Sequence, residues 1–238
     1  TALALGGRHP FILFLTSRFA SGEELAGTLY LYEDALQFIG AIVAFSIAYI
    51  SYKGVKQTQS STLLRLAAAF VFLGTGFILQ GLYGLGELRS LPFLTTVLAS
   101  LLLAGLFLET AGYFFLAFSH MLDVRFAGRM GAMLALFPLV AVDQTSIQVI
   151  LQSLSFYFIL YGVVETLFSY KKYRNPNTLL IATGLGLIAA GWWISMAGPD
   201  LALLRLLQLV MKEVGLLTLF IPVLGFSFSK GRRLDGTV

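Results

Sequence analysis

A lysine and a glutamate stand side by side in an otherwise apolar segment, "LLQLVMKEVGLLTLF", at residues 206–220. A charge within such a segment costs roughly 2.5–3.5 kcal/mol on insertion scales and usually faces the bundle interior or a wet cavity. Lys212, Glu213 and Glu109, which lies in "AGLFLETAGYFF", are the deepest such charges. They are candidates for a ligand, ion or proton site. The alternative is a purely structural ion pair between Glu109 and Lys212.

Other polar side chains could extend this site into a pathway that begins at the outer surface. Glu33, Asp34 and Gln80 are predicted to lie toward the outer side, and Glu165 toward the cytosolic end of its helix. With the three deep charges, these residues form the predicted ligand or ion pathway.

The sequence offers little for catalysis. It contains no cysteine, so thiolate metal sites and cysteine nucleophiles are excluded. His9 and His120 are the only histidines, and they are predicted to lie on opposite sides of the membrane. Nucleotide-binding, zinc-protease and serine-hydrolase motifs are absent. We therefore expect no catalytic residues, no metal site and no enzymatic activity.

The elements that must position these charges are membrane-spanning helices. Hydrophobic residues make up 58% of the 238 residues and charged residues only 12%, whereas a soluble domain carries roughly 25% charged residues. A helix that crosses a bilayer needs about 20 mostly apolar residues. Seven such segments are predicted, of which the fourth is short and contains Pro138. They are residues 29–52, 62–84, 92–118, 130–144, 146–169, 178–197 and 201–228.

The distribution of lysine and arginine predicts the orientation of this all-α, seven-helix bundle. Basic residues near helix ends stay on the cytoplasmic side. An N-terminus outside and a C-terminus in the cytoplasm put every basic cluster on that side. The clusters contain Lys53, Lys56, Arg65, Arg125, Arg129, Lys171, Lys172, Arg174, Lys230, Arg232 and Arg233. The positive charge therefore suits lipid headgroups rather than nucleic acid, and a multi-pass protein of the plasma membrane is expected.

The two ends of the chain lie outside the predicted bundle of residues 29–228. Residues 1–28 form an extracytoplasmic segment that contains a short apolar run, "HPFILFLTSRF". This run is either an interfacial segment or a lid over an outward-facing site. Residues 229–238 form a cytoplasmic tail.

An internal repeat is predicted from two similar stretches, "SYKGVKQTQSSTLL" from Ser51 and "SYKKYRNPNTLL" from Ser169. Each joins the end of one apolar helix to the start of the next. The repeat divides the bundle into halves at about 29–118 and 146–228, with residues 130–144 as a linker helix. Both halves enter from outside, so they are parallel repeats. Glu109 then corresponds to Glu213.

Two known families share this outline. The 3-1-3 plan resembles the SWEET sugar transporters of the PQ-loop superfamily, although their proline-glutamine signature is absent. A lysine in the last of seven helices, "MKEVGLL", is similar to microbial rhodopsins, which implies retinal on Lys212 with Trp192 and Trp193 beside it. Against retinal, the helix-3 aspartate motif is missing, and Glu109 is predicted to lie deeper toward the cytosol than Lys212.

Three functions are therefore considered. The first is a non-enzymatic carrier or receptor for a small ligand, or one coupled to ions or protons, without a cofactor. The second is a noncatalytic subunit of a larger, for example respiratory, membrane complex. The third is a retinal protein. The expected partners are the lipid bilayer and either other membrane subunits or further copies of this chain.

Overall fold

The computed structural model describes residues 22–88, 95–120, 144–197 and 202–234, and these residues form six α-helices. All six are long and apolar enough to cross a membrane. The chain is therefore an all-helical, multi-pass integral membrane protein. The helices are α1 (Gly22–Thr58), α2 (Ser61–Leu88), α3 (Thr95–His120), α4 (Gln144–Tyr173), α5 (Pro176–Ala197) and α6 (Ala202–Leu234).

Six of the seven predicted spans coincide with these helices. The main difference is at the start, because α1 begins at Gly22 rather than near residue 29. The predicted fourth span, 130–144, lies outside the described residues apart from its last residue. The apolar run of the predicted N-terminal segment lies outside them as well.

Two tight turns join α1 to α2 and α4 to α5. Each contains one non-glycine residue with a positive φ, Gln59 at 54° and Arg174 at 52°. The N–H of each donates to the carbonyl oxygen four residues earlier, Val55 and Tyr170 respectively, at 2.8 Å. A left-handed residue that caps the last carbonyls is a common way to end a helix.

The helices form a closed ring. Each packs against its neighbours in sequence, and α6 packs against α1. Large apolar side chains remain exposed on the outside of the ring, where they can contact lipid. Examples are Ile42, Phe107, Phe168, Trp193 and Ile221.

The helix directions follow from individual contacts. α3 and α4 run in the same direction, because Thr110 contacts Ser155 and Phe114, one turn later, contacts Phe158. All other sequence neighbours are antiparallel. The C-terminus of α3 and the N-terminus of α4 therefore lie at opposite ends of the bundle.

Glycines allow two pairs of helices to approach closely. A Cβ atom at Gly76 of α2 would lie 2.8 Å from the carbonyl oxygen of Gly105 of α3. A Cβ atom at Gly184 of α5 would lie 2.8 Å from the carbonyl oxygen of Gly215 of α6. Gly105 and Gly184 therefore allow close helix packing.

Candidate functional site

An ion pair lies at the centre of the bundle. The Nζ atom of Lys212 on α6 is 2.5 Å from Oε1 of Glu109 on α3. Both residues are fully buried. Direct pairing of Glu109 with Lys212, one of the alternatives drawn from the sequence, is therefore present.

Two further side chains fix the Glu109 carboxylate. The amide Nε2 of Gln80 donates to Oε2, and the hydroxyl of Tyr113 donates to Oε1, both at 2.8 Å. Tyr113 follows Glu109 by one helical turn, so the two share a face of α3. Hydrogen bonds to a charged group contribute about 1.5–3 kcal/mol each. Glu109 is thus held by three partners from three helices.

Aromatic rings enclose the ammonium group of Lys212. Its Nζ lies 4.5 Å from the ring centroid of Trp192 and 5.3 Å from that of Phe77. The rings of Tyr113 and Trp192 meet edge to face with centroids 6.4 Å apart. Cation–π contacts of this kind contribute about 2 kcal/mol when they are desolvated. The lysine is therefore stabilised by one carboxylate and two aromatic faces.

The direct contact also corrects an expectation about depth. From the sequence, Glu109 was predicted to lie deeper toward the cytosol than Lys212. At 2.5 Å the two charged groups lie at the same depth. The packing of α3 and α6 sets the relative height of their residues, which the sequence alone does not give.

Glu213 has a different environment from its neighbour Lys212. Adjacent helical residues point about 100° apart, and Glu213 faces α1, where a Cβ atom at Gly40 would overlap its carboxyl group. Glu213 is 4% exposed. Neither of its carboxyl oxygens has a hydrogen-bond partner within the described parts of the chain.

Two polar residues of α1 precede Gly40 on successive turns. Asp34 and Gln37 are both buried. The Asp34 carboxyl group lies against Gly84 of α2, and Cβ of Gln37 lies 3.5 Å from where a Cβ at Gly81 would stand. They continue the buried polar groups from Glu213 toward the N-terminal end of α1.

The remaining predicted pathway residues lie apart from this cluster. Glu33 is half-buried and is attracted electrostatically to Arg205. Glu165 is half-buried on α4, where the hydroxyl of Tyr161 donates a hydrogen bond to it. Neither has a described contact with Glu109, Lys212 or Glu213.

The interface between α3 and α4 contains a pair of hydroxyl groups. Thr110 and Ser155 are buried, and their hydroxyl oxygens are 2.9 Å apart. The Thr110 hydroxyl also lies 2.8 Å from the carbonyl oxygen of Leu106 and 3.3 Å from that of Leu151. Both hydroxyl groups at this interface are therefore hydrogen-bonded.

Some residues of the site were not predicted from the sequence. Tyr113 carries a usable signal, because it follows Glu109 by four residues and so shares its helix face. Phe77 and Gly40 carry none, since one is a phenylalanine among 21 and the other a glycine among 24. Only the packing of α1 and α2 against α6 and α3 brings them to the charged side chains.

The cluster combines acidic, basic and aromatic side chains in a buried place. Within the described residues, no group of three or more His, Asp or Glu side chains could hold a metal ion. Compared with models of protein families, with curated proteins and with solved structures, the chain matches none. The functional argument therefore depends on the geometry of the cluster itself.

Proposed function

We propose that the protein is a membrane carrier for a small ligand or ion, coupled to protons, and that it works between two parallel three-helix halves, α1 to α3 and α4 to α6. The observation that carries this proposal is the buried ion pair between Glu109 and Lys212. It joins the third helix of one half to the third helix of the other at the centre of the bundle.

Matching contacts within the two halves support the repeat. At Gly112 of α3, a Cβ atom would lie 2.6 Å from Cγ of Leu73 on α2. At Gly215 of α6, a Cβ atom would lie 2.6 Å from Cγ1 of Ile188 on α5. Leu73 against Gly112 therefore corresponds to Ile188 against Gly215.

The same register extends to the charged residues. A Cβ atom at Gly76 would meet the backbone nitrogen of Glu109 at 3.0 Å, and one at Gly191 would meet that of Lys212 at 3.5 Å. These contacts match Glu109 with Lys212. The register taken from the "SYK" stretches matched Glu109 with Glu213 instead, one residue further along α6. The packing contacts favour Lys212 as the equivalent of Glu109.

The equivalent residues meet near a common axis. In this register Phe77 corresponds to Trp192, and both rings flank Lys212. Glu109 and its equivalent Lys212 contact each other directly. A two-fold axis along the membrane normal would therefore pass through the ion pair, as expected for a binding site between parallel repeats.

The direction of α4 supports a seventh crossing. Because α3 and α4 run the same way, the end of α3 and the start of α4 lie at opposite ends of the bundle, and the seven-helix plan requires a return crossing between them. The predicted span at 130–144 would supply that return. The seven-helix plan and the outside location of the N-terminus remain parts of this proposal.

A carrier accounts for the buried pair better than a static scaffold does. Replacing a buried ion pair with packed apolar residues is often neutral or stabilising by about 1–4 kcal/mol, so such a pair is weak evidence for a role in stability alone. Two halves that rock against each other need polar contacts that can be broken and remade at their interface. The Glu109–Lys212 pair has that location.

The test uses proteoliposomes and a neutral pair of substitutions. Solid-supported-membrane recordings would measure currents after pulses of amino acids, sugars, organic cations and organic anions. We expect a saturable current with at least one class in the wild-type protein. We expect its loss in the folded double variant Glu109→Gln/Lys212→Met, which leaves no unpaired buried charge.

The matched control is Gly186→Ala, because a Cβ atom there would have no neighbour within 4 Å. It should retain the wild-type current. The carrier proposal would be overturned if the neutral double variant carried the wild-type current. It would also be overturned if no class gave a current and native mass spectrometry found the 26.0 kDa chain bound to different polypeptides, as for a complex subunit.

A further inference from the structure

Two interfaces join the proposed halves, one between α3 and α4 and one between α1 and α6. In the register given above, Glu213 corresponds to Thr110. Gly40 contacts Glu213 as Ser155 contacts Thr110, so Gly40 and Ser155 take equivalent places. A threonine and a serine therefore meet at one interface, whereas a glutamate and a glycine meet at the other. The two pairs fill similar space, because the longer side chain faces the residue that has none.

The two interfaces differ in how their polar groups are satisfied. The hydroxyl groups of Thr110 and Ser155 hydrogen-bond each other at 2.9 Å. The Glu213 carboxyl group, by contrast, is buried against Gly40 and neither of its oxygens is hydrogen-bonded in the described part of the chain. A buried carboxylate without donors is costly, while the neutral acid is much less so.

The charged and titratable groups around Glu213 are already engaged. Lys212 precedes it on α6 and is paired with Glu109. Tyr113 of α3 donates its hydroxyl to Glu109 as well. On α1, Gly40 contacts Glu213 and the buried Gln37 lies one turn before it. The nearest acid of that helix, Asp34, lies a further turn away against Gly84.

We propose that Glu213 is the proton-binding residue of this protein, and that the interface between α1 and α6 closes around its neutral acid. When α1 separates from α6 and water reaches the acid, the O–H bond breaks, the electron pair stays on the carboxylate and the proton passes to that water. The carboxylate would lack donors in the closed interface, so the interface stays open, with water or a cationic ligand at the carboxylate, until the acid is protonated again. The proton site adds the coupling step to the proposed carrier. Proton binding at Glu213 does not depend on the carrier proposal, whereas a role of this proton in transport does.

A proton fits this position better than a metal ion. A bound metal cation needs several ligands, and the described residues hold no group of three or more acidic or histidine side chains that could supply them. A proton needs one carboxyl oxygen.

The test is an infrared pH titration of the full chain in lipid nanodiscs, with no ligand added. The carbonyl stretch of a buried carboxylic acid should appear on acidification and disappear on alkalinisation. Glu213→Gln should lose this band. Thr110→Val, which changes the equivalent residue at the other interface, should keep it.

A second variant separates proton binding from packing. The double substitution Gly40→Ser/Glu213→Thr copies the hydroxyl pair of the α3/α4 interface into the α1/α6 interface. We expect it to fold with wild-type thermal stability and to lose the band. Gly40→Ser alone should be destabilised, because its Cβ atom would overlap the Glu213 carboxyl group.

The outcomes separate this inference from the carrier proposal. A band that persists in Glu213→Gln, or no titrating band in the wild-type protein, would overturn the proton site even if ligand currents are present. Loss of the band in both Glu213 variants supports the site even if no tested ligand gives a current. The carboxylate band of Glu213 could instead shift with sodium concentration while no carboxylic acid band appears at any pH. That result would assign the site to a metal cation and overturn the inference.

Discussion

Glu109 on α3 and Lys212 on α6 each lie against a glycine of the preceding helix, Gly76 and Gly191, and their charged groups meet at 2.5 Å. The glycines let the two backbones approach α2 and α5, which brings both side chains to the centre. The close helix packing therefore buries both side chains. Each charge is the partner that reduces the cost of burying the other.

The ion pair should be strongly coupled in stability measurements. Glu109→Gln or Lys212→Met alone leaves one buried charge without its partner, so each should lower the free energy of unfolding by about 3–5 kcal/mol. The double variant should lose less than either single variant. Denaturant unfolding in mixed micelles would measure this cycle, and additive losses would show that the two charges do not interact.

Close helix packing gives a second, independent prediction. Gly76→Ala adds a Cβ atom 2.8 Å from the carbonyl oxygen of Gly105, which is backbone and cannot rotate away. We expect a loss of about 1–3 kcal/mol from overpacking. Gly186→Ala is the matched control, since nothing lies within 4 Å, and it should gain up to about 1 kcal/mol from helix propensity. Equal thermal stability of the two variants would contradict the close approach.

The helices could be predicted from the sequence because apolar length alone decides membrane insertion. Six of the predicted spans therefore coincide with α1 to α6 within a few residues, apart from the longer ends of α1 and α6. The burial of Glu109, Lys212 and Glu213 followed from the cost of charge in an apolar segment, and the structure has all three buried.

The partners of these charges could not be predicted, because they depend on the height and rotation of one helix relative to another. The one-residue difference between Lys212 and Glu213 as the equivalent of Glu109 is an example. Local similarity at "SYK" lies near the helix ends, whereas the register of the packed faces is set by Gly76, Gly112, Gly191 and Gly215. The place of Glu33 and Glu165 in the pathway depends on the same helix packing, and it stays a prediction.

The hydroxyl pair at the α3/α4 interface should contribute a smaller coupling. Thr110→Val and Ser155→Ala each remove one partner of a buried hydrogen bond, and each should cost about 1–3 kcal/mol. The double variant should cost less than the sum, because the Ser155 hydroxyl, which loses its Thr110 partner in Thr110→Val, is then absent as well. Thr75→Val is a suitable control: its hydroxyl bonds only the exposed carbonyl of Val71, so it should change stability by no more than about 0.5 kcal/mol.

The direction of α4 can be tested with single cysteines, because the chain contains none of its own. Thr58 ends α1 and Lys171 lies in the last turn of α4. If the halves are parallel and residues 121–143 cross the membrane, Thr58→Cys and Lys171→Cys should react with an impermeant maleimide from the same side. Leu85 lies near the C-terminal end of α2, at the end of the bundle opposite Thr58. Leu85→Cys should therefore react from the other side of the membrane.

Labelling of right-side-out and inverted vesicles separates the two arrangements. Reaction of Lys171→Cys on the side of Leu85→Cys would mean that α4 runs against α1, and it would remove both the seventh crossing and the parallel repeat. Reaction with Thr58→Cys on the cytoplasmic side would support the orientation predicted from the basic residues. Because α3 and α4 are held in parallel through Thr110 and Ser155, the labelling tests whether the chain crosses the membrane between them.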